Sequence, residues 1–194
     1  HTRKQEAKYL GRLPQDWEIL PIGDVFHVEL GKMLSKVSKT GKHYRPYLGN
    51  SNVKWGQFDL RSVEQMDFKD DDLPRYQLRK GDVLICEGGE VGRTAVWDDE
   101  LPLCCYQKAI HRLRPRHPDA TLPKFMQYFM EHAVKCNLMI RFTGESSIAH
   151  LTRETLVQIP MPLPHIDERR AIVNILEAVQ SNVQLLELRE AGLH

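Results

Sequence analysis

Apolar residues along the chain follow two periods, and each period predicts a different kind of element. Between residues 17 and 30, short apolar stretches predict a strand, a helical turn and a second strand. Val83–Cys86 and Thr94–Trp97 flank a glycine-rich turn and predict a β-hairpin. Pro46–Leu60 is typical of a strand, a polar turn and another strand. Cys104–Arg114 alternates in places and predicts one strand near the centre of a sheet.

Helical periodicity predicts two further elements. The first helix is predicted to begin just after Thr121, its expected N-cap. Its apolar stripe faces the core and consists of Phe125, Met126, Phe129, Met130 and Val134. The segment Ile159–Pro164 must be extended, because proline fixes φ and lacks an N–H donor. A second helix follows, with Asp167 and Glu168 in its first turn, where the helix dipole favours negative charge.

The second helix carries an apolar stripe with heptad spacing, which is typical of a seam against a partner helix. The stripe consists of Ile172, Leu176, Val179, Val183 and Leu186. We therefore predict a flexible tail over residues 1–12 and a mixed α/β (α+β) globular domain over residues 13–164, with a twisted mixed β-sheet and few helices. A long, projecting coiled-coil helix is predicted over residues 165–194.

Composition limits the possible classes of protein. The chain has 194 residues and 41% hydrophobic content, enough for one good core. No apolar run is long enough for a membrane span, and no charged-then-apolar signal segment opens the chain. The cysteines show no C-x-x-C spacing, and the adjacent pair Cys104-Cys105 is a poor disulfide or zinc framework. We expect buried free thiols and a reducing, cytoplasmic location.

The net charge is only +1, but basic residues are concentrated in one segment. From Gly31 to Arg45 there are four lysines, one arginine and no acid, among serine, threonine and glycine residues typical of a loop. Such groups bind phosphates and reach base edges, although most lysine-rich loops are only solvated. The candidate DNA contacts in this basic loop are Lys32, Ser35, Lys36, Lys39, Lys42, Tyr44 and Arg45.

Two asparagines and one arginine are further candidate DNA contacts. Asn50 and Asn52 lie in a predicted turn. Asparagine pairs bidentately with adenine, but an Asx-turn explains both residues equally well. Arg93 either meets a phosphate or pairs with Glu87 or Glu90 inside the fold.

Gln107 and Lys108 complete the candidate contacts, with an internal hydrogen-bonding role as the alternative. Lys108–Arg116 contains four basic residues and no acid, and we interpret it as a second positive patch. Glu64–Asp72 is acidic and is expected to face away from a phosphate backbone.

Catalytic and metal-binding interpretations receive little support from the sequence. The Gly88-Gly89 turn fits no phosphate-loop motif and joins two strands rather than a strand and a helix. Ser146 and Ser147 lack the G-x-S-x-G context, and no spacing places His150 in a catalytic triad. The histidines show no paired metal-ligand spacing, so we predict no metal and no cofactor bound by this chain.

Five motifs resemble those of type I restriction–modification specificity subunits. Pro160–Val173 resembles the start of that family's spacer helix, where many members carry Glu-Gln-Arg in place of Glu168-Arg169-Arg170. Segments that resemble the family's target recognition domain are Lys80–Ile85, Gly88–Arg93, Tyr106–Arg112 and Phe142–Thr152. Each motif is weak alone, but together they cover roughly residues 13–188 in order.

The resemblance implies a non-catalytic subunit that reads one half of a split DNA target in phage defence. Spacer helices of that family pair antiparallel and fix the distance between half-sites. Methyl transfer and cleavage belong to separate modification and restriction subunits, which use S-adenosylmethionine, ATP and magnesium. The expected partners are double-stranded DNA, both of those subunits and a second spacer helix.

Two alternatives to this function stay open. The first alternative is a protein-interaction module that acts through its C-terminal helix. The second is the recognition half of a fused restriction–methylation enzyme. A weak salt dependence of duplex binding would favour the first alternative. Because a full specificity subunit carries two domains and two spacers, we expect this chain to be a fragment or a half-subunit that pairs with itself.

Overall fold

The structure is a computed structural model that describes residues 10–33, 35, 40–119, 121–143, 149–190 and 192. Its strands are β1 (Glu18–Pro21), β2 (Phe26–Leu30), β3 (Tyr44–Leu48), β4 (Val53–Lys54), β5 (Gln57–Phe58), β6 (Glu64–Asp67), β7 (Val83–Cys86), β8 (Thr94–Val96), β9 (Cys105–Tyr106), β10 (Ile110–Pro115) and β11 (Pro160–Leu163). Its helices are α1 (Ile22–Val25), α2 (Leu73–Tyr76), α3 (Leu122–Lys135), α4 (Leu138–Thr143), α5 (Arg153–Gln158) and α6 (Ile166–Glu190), with a 3₁₀ turn at Asp70–Asp72. This mixed α+β architecture confirms the predicted fold class.

A four-stranded antiparallel sheet forms the centre of the domain, in the order β2-β10-β7-β8. Strand β10 lies between β2 and β7, so Leu113 pairs with both Val28 and Val83. The predicted hairpin is confirmed, because β7 and β8 pair with Leu84 opposite Ala95. The predicted strand–turn–strand between residues 17 and 30 is also confirmed as β1, α1 and β2.

Both faces of the central sheet are covered by apolar residues, because successive side chains of a strand point to opposite faces. One face packs against α3 and α5 in a cluster that includes Ile85, Leu113, Met126, Phe129 and Leu156. The other face packs in a second cluster that includes Leu48, Leu84, Trp97, Tyr106 and Ile110. The strand β7, apolar throughout, is therefore buried along its whole length.

The prediction of one continuous strand over Cys104–Arg114 is wrong. Strand β9 belongs to a separate three-stranded sheet in the order β6-β3-β9, where it runs parallel to β3. Strand β10 starts only at Ile110, after a turn. By contrast, the strand, polar turn and strand predicted over Pro46–Leu60 are present as β3, a turn at residues 49–52 and β4. Strand β4 then pairs with β5.

The helix α3 buries the predicted residues, with Val134 half-buried at the edge of the core. Thr121 precedes the helix but makes no side-chain cap bond. Instead, the Asp119 carboxylate accepts hydrogen bonds from the Thr121 N–H at 2.9 Å and from its hydroxyl at 2.8 Å. Asp119 thus holds Thr121, the residue before the helix, rather than capping the N–H groups of the first helical turn.

The proline-rich segment forms β11, which pairs only with β1 among the described strands. This edge pairing suits prolines, because proline has no backbone N–H to donate to a neighbouring strand. Helix α6 follows directly, with Asp167 and Glu168 in its first turn as predicted. Residues 1–9 of the predicted tail lie outside the described residues, whereas Leu10 already packs against the core.

Candidate nucleic-acid interface

An open cleft of about 620 Å³ lies at one end of the central sheet. Three turns, the start of the basic loop and the segment that carries His150 converge on it. Its lining consists of Met33, Asn50, Glu87, Gly88, Gly89, Gln107, Lys108, Ala109 and His150. Three of the predicted contacts, Asn50, Gln107 and Lys108, are therefore brought together from separate parts of the chain.

The turn from Gln107 to Ile110 forms one wall of the cleft. The N–H of Ile110 donates to the oxygen of Gln107 at 3.3 Å, and Ala109, the third residue, has φ of +94°. Turns usually place glycine at such a position, because a side chain is strained at positive φ. The turn leaves Lys108 exposed at its corner, where its ammonium group points away from the packed core.

The basic loop starts in direct contact with this turn. The N–H of Lys108 donates to the oxygen of Lys32 at 2.7 Å, and the N–H of Lys32 donates to the oxygen of Tyr106 at 3.2 Å. A side chain at Gly31 would place its Cβ 2.2 Å from the oxygen of Gln107. Only glycine allows this approach, so Gly31 fixes where the basic loop leaves the sheet.

Asn50 joins a second turn to a third at the cleft. Its Nδ2 donates to the oxygen of Gly88 at 2.6 Å, and its own carbonyl oxygen accepts from Nη2 of Arg93 at 2.6 Å. Arg93 also pairs with Glu90 at 2.9 Å, as the internal alternative predicted. The Oδ1 of Asn50 is buried and has no partner among the described residues. Arg93 therefore positions Asn50, whose Oδ1 is the unpaired acceptor at this site.

Asn52 supports the turn internally rather than lining the cleft, although its Oδ1 accepts from three residues upstream and so does not form an Asx-turn. Its side chain is 6% exposed. Its Oδ1 accepts from the N–H of Gly49 at 2.9 Å, while Nδ2 donates to the oxygens of Asp59 and Ser62. All its hydrogen-bonding capacity serves the turn, which removes the physical basis for predicting a base contact there.

His150 lies in the cleft, although the sequence analysis does not include it among the candidate DNA contacts. Its Nδ1 lies 3.0 Å from the position that a Cβ of Gly88 would occupy. The next residue is held from both sides: the N–H of Leu151 donates to the oxygen of Glu87 at 2.7 Å, and its oxygen lies 2.7 Å from Nε2 of His111. Neither contact leaves a local sequence signal, because both partners are distant in the chain.

His111 is fully buried beneath the cleft, and burial is the main cause that lowers its pKa. A neutral ring can donate from Nε2 to the oxygen of Leu151. Its Nδ1 is buried with no partner in the described part of the chain. Protonation would add a buried N–H without an acceptor, so the geometry also favours the neutral ring.

Part of the acidic segment binds the basic loop, while its expected position away from a phosphate backbone stays a prediction. The carboxylate of Asp67 accepts from the N–H groups of Thr40, Gly41 and His43 and from the Thr40 hydroxyl. Burial raises the pKa of Asp67, but these hydrogen bonds outweigh it and lower the pKa to about 2. Asp67 thus closes the loop by binding its backbone.

Two basic side chains of the loop also form ion pairs with acidic residues. Nζ of Lys32 donates to Asp72 at 2.6 Å and to the oxygen of Asp67 at 2.8 Å. Arg45 lies 3.7 Å from Asp70. Ser35, Lys42 and Tyr44 are exposed, whereas Lys36 and Lys39 lie outside the described residues.

The predicted positive patch over Lys108–Arg116 is wrong as a continuous surface. Lys108 is at the cleft, Arg112 is buried and donates to the oxygen of Arg75 at 3.0 Å, and Arg114 pairs with Asp82 at 2.7 Å. Arg116 lies at the opposite end of the sheet. A second cleft there, of about 500 Å³, is lined by Arg79, Lys80, Gly81, Asp82, Arg114, Pro115, Arg116, Pro118, Asp119 and Pro123.

The seam of α6 lies largely in solvent. Ile172 packs at the edge of the main core. The remaining seam residues, all exposed, are Leu176, Val179, Val183 and Leu186. A row of exposed apolar residues on one helix is the surface that the predicted pairing requires.

Comparison with known proteins places this geometry in a family. The model of the type I restriction modification DNA specificity domain matches residues 14–193. The chain belongs to this family. It is 22% identical to the type I restriction enzyme MjaVIII specificity subunit of Methanocaldococcus jannaschii, over 91% of this chain and 42% of that protein. It is 21% identical to the EcoBI specificity subunit of Escherichia coli, over 96% and 40%.

A solved structure shows the same fold. The crystal structure of the HsdS subunit from Thermoanaerobacter tengcongensis superposes with a TM-score of 0.68 and 24% identity, over 94% of this chain and 43% of that one. The chain therefore spans less than half the length of these members of the specificity family.

Three general features of the described residues bear on the class of protein. No helix among them is long and apolar enough to cross a membrane. No group of three or more histidine, cysteine, aspartate or glutamate side chains among them is arranged to hold a metal ion. Cys86, Cys104 and Cys105 are buried free thiols as predicted, whereas Cys136 is exposed.

Proposed function

We propose that this chain reads one half of a split DNA target as the specificity component of a type I restriction–modification system. The family match over residues 14–193 is the observation that carries the proposal. The cleft at the end of the central sheet supports it, because polar groups from four separate segments converge there on an open surface.

The groups at the cleft suit the edges and backbone of a duplex. Gln107 offers an amide that can pair bidentately with adenine, and Lys108 offers an ammonium group for a phosphate or for guanine. The side chain of Asn50 is held by the oxygen of Gly88, and its backbone carbonyl is held by Arg93, so the residue is ordered before DNA arrives. Pre-ordering lowers the entropic cost of a contact and sharpens discrimination between bases.

Charge distribution indicates modest affinity for a single domain. The chain carries a net charge of +1, and Asp72 and Asp70 already bind or approach Lys32 and Arg45. These two cations are then less available to phosphates, which supply most of the non-specific binding energy. Two such domains joined by paired helices would bind far more tightly, because the second contact becomes intramolecular. This favours a split target over a single half-site.

The partners follow from the same proposal. The exposed seam of α6 binds a second spacer helix, from another copy or from a second half of the same protein. The assembled chain positions modification and restriction subunits and itself performs no chemical step. S-adenosylmethionine, ATP and magnesium are bound by those subunits rather than by this chain, and the assembly works in the cytoplasm.

The deciding experiment is expression of this chain with its modification subunit in a methylation-free host, followed by mapping of methylated adenines. We expect a split or palindromic motif that is present only with this chain. The double variant Gln107→Ala/Lys108→Ala should weaken or change the motif, while Arg79→Ala at the second cleft should leave it intact.

Identical methylation with and without the chain would refute the proposal. The exposed seam also favours the alternative of an assembly module that acts through its helix. That alternative predicts a stable complex without a DNA motif, together with duplex binding that hardly depends on salt.

A further inference from the structure

Helix α6 is attached to the globular domain at two points. The first point is its N-terminal turn, and the second lies three turns further along the helix. We propose that Gln180, at the second point, fixes the direction in which α6 leaves the domain. We further infer that this direction sets the spacing between DNA half-sites that the assembly accepts. This second inference rests on the proposed function.

The first attachment is buried. The guanidinium of Arg169 donates to Asp119, to the Thr121 hydroxyl at 3.2 Å and to the oxygen of Pro164 at 3.2 Å. Val173, one turn later, is 5% exposed and belongs to the main core. A helix held only here could still pivot, because a single short contact constrains position better than direction.

The second attachment removes that freedom. The hydroxyl of Tyr128 on α3 donates to Oε1 of Gln180 at 3.1 Å. The tip of the β4–β5 hairpin packs at the same place: a Cβ on Gly56 would lie 3.0 Å from Nε2 of Gln127 and 3.6 Å from Nε2 of Gln180. Gly56 has φ of +71°, so both its conformation and its close packing favour glycine. Three parts of the chain therefore meet at Gln180.

The distance between the attachments makes them effective in setting an angle. Arg169 and Gln180 are eleven residues apart, which is about 16 Å of helix. From Arg169 to Glu190 the helix extends about 30 Å, so a pivot of roughly 10° moves its end by about 5 Å. One base-pair step is about 3.4 Å, so even this small pivot exceeds one base pair.

Beyond Ile172, which packs at the edge of the core, the attached side of α6 differs from the seam. Arg169, Val173 and Gln180 recur at intervals of four and seven residues along one side. Val179 and Val183 are exposed and lie roughly a quarter turn around the helix from these residues. The helix can therefore be held by its own domain and pair with a second helix at the same time.

The direction of α6 can be measured without any assay of function. One spin label is placed on Cys136, the exposed cysteine at the end of α3, and another on Glu187→Cys in α6; the other cysteines are buried. Pulsed electron resonance on the full chain then gives the distance distribution between the labels. The test variant is Gln180→Ala/Tyr128→Phe. The matched control is Gln184→Ala, an exposed glutamine with no hydrogen bond in the described structure.

We expect the unmodified chain and the control to share one narrow distribution. The test variant should broaden it or shift its mean by about 5 Å, as the pivot predicts. The separate single variant Gln180→Glu keeps an acceptor for Tyr128 and should show the same narrow distribution as the unmodified chain. Unchanged distances in the test variant would overturn the role of Gln180.

The spacing is tested in the assembly with the modification subunit, on a plasmid library in which only the distance between half-sites varies. The test variant should methylate sites one base pair longer or shorter, with the same half-site sequences. Unchanged spacing alongside altered label distances would overturn the second inference alone. Absence of any motif in the unmodified assembly would instead refute the proposed function, leaving the label distances to judge Gln180.

Discussion

The two ends of the central sheet both carry an open cleft with cationic side chains, but these side chains are used in opposite ways. At the end with Gln107 and Lys108, side chains stand on tight turns, and Lys108 is exposed. At the other end, Arg114 forms an ion pair with the buried carboxylate of Asp82, in a cleft that is also lined by prolines. Positive charge alone therefore does not mark a binding surface. What separates Lys108 at one end from Arg114 at the other is whether the cation already has a buried partner.

The largest expected effect is on stability at the second cleft. Arg114 donates to both oxygens of Asp82 at 2.7 Å, and the Asp82 side chain is 1% exposed. Arg114→Ala leaves this buried carboxylate without its cation and should lower the free energy of unfolding by about 3–5 kcal/mol. Urea denaturation followed by circular dichroism measures the change.

Lys80→Ala is the matched control, because its pair with Asp98 is exposed and should matter by less than about 1 kcal/mol. Similar losses for the two variants would mean that the Arg114 pair behaves as a surface pair and that the two ends do not differ as described.

The second prediction concerns DNA affinity at the first cleft. Gln107→Ala/Lys108→Ala should weaken binding to the target half-site about tenfold and reduce the slope of log affinity against log salt by about 1, as loss of one phosphate contact requires. Fluorescence anisotropy across a salt series measures both quantities. Unfolding should be almost unaffected, since Lys108 is exposed.

Arg79→Ala/Lys80→Ala removes charge from the second cleft and serves as the control. Equal losses of affinity from the two double variants would show that the whole domain attracts DNA through its average field, and the first cleft would lose its special role.

Local patterns predicted the elements well because their causes are local. The apolar runs of β7 and β8 with glycines between them specify a hairpin, and the 3.6-residue period of α3 and the proline-to-helix change before α6 are equally direct. The break between β9 and β10 was missed because the turn places Ala109, rather than glycine, at positive φ. No residue in that turn carries the usual signal.

The arrangement of charge could not be predicted, because it depends on partners distant in the chain. Asp67 binds the backbone of the basic loop from 24 to 27 residues away. Arg169, where many family members carry glutamine, is buried against Asp119, fifty residues earlier. A count of charges along the sequence treats such residues as solvated. Of the candidate contacts, Asn50, Gln107 and Lys108 meet at the cleft, while Asn52 and Arg93 turn inward.

A smaller effect is expected from pH at the first cleft. Because the pKa of His111 is lowered in the folded protein, the unfolded chain takes up a proton first as pH falls below about 6.5. Stability should therefore be greatest above that pH and decline below it, until pH passes the lower folded pKa. Urea midpoints measured between pH 5 and 8 test this slope.

His111→Gln keeps an N–H group for the oxygen of Leu151 and cannot titrate, so it should flatten the slope in this range. His27→Gln, on an exposed side chain, should leave the slope unchanged. If the slope survives in His111→Gln, the pH dependence arises from other groups. It then does not report on the contact between His111 and Leu151 beside the cleft.

The smallest expected effect separates strain from packing at the first cleft. Ala109 has φ of +94°, so Ala109→Gly relieves backbone strain while it loosens the unfolded chain, and the two effects should leave stability within about 0.5 kcal/mol of the original. Ala95→Gly in β8 has no strain to relieve at a fully buried site and should cost about 1 kcal/mol. If both variants lost the same stability, the turn would not be strained. If Ala109→Gly is neutral for folding but weakens half-site binding, alanine is kept there to hold Lys108 in place for DNA rather than to support the fold.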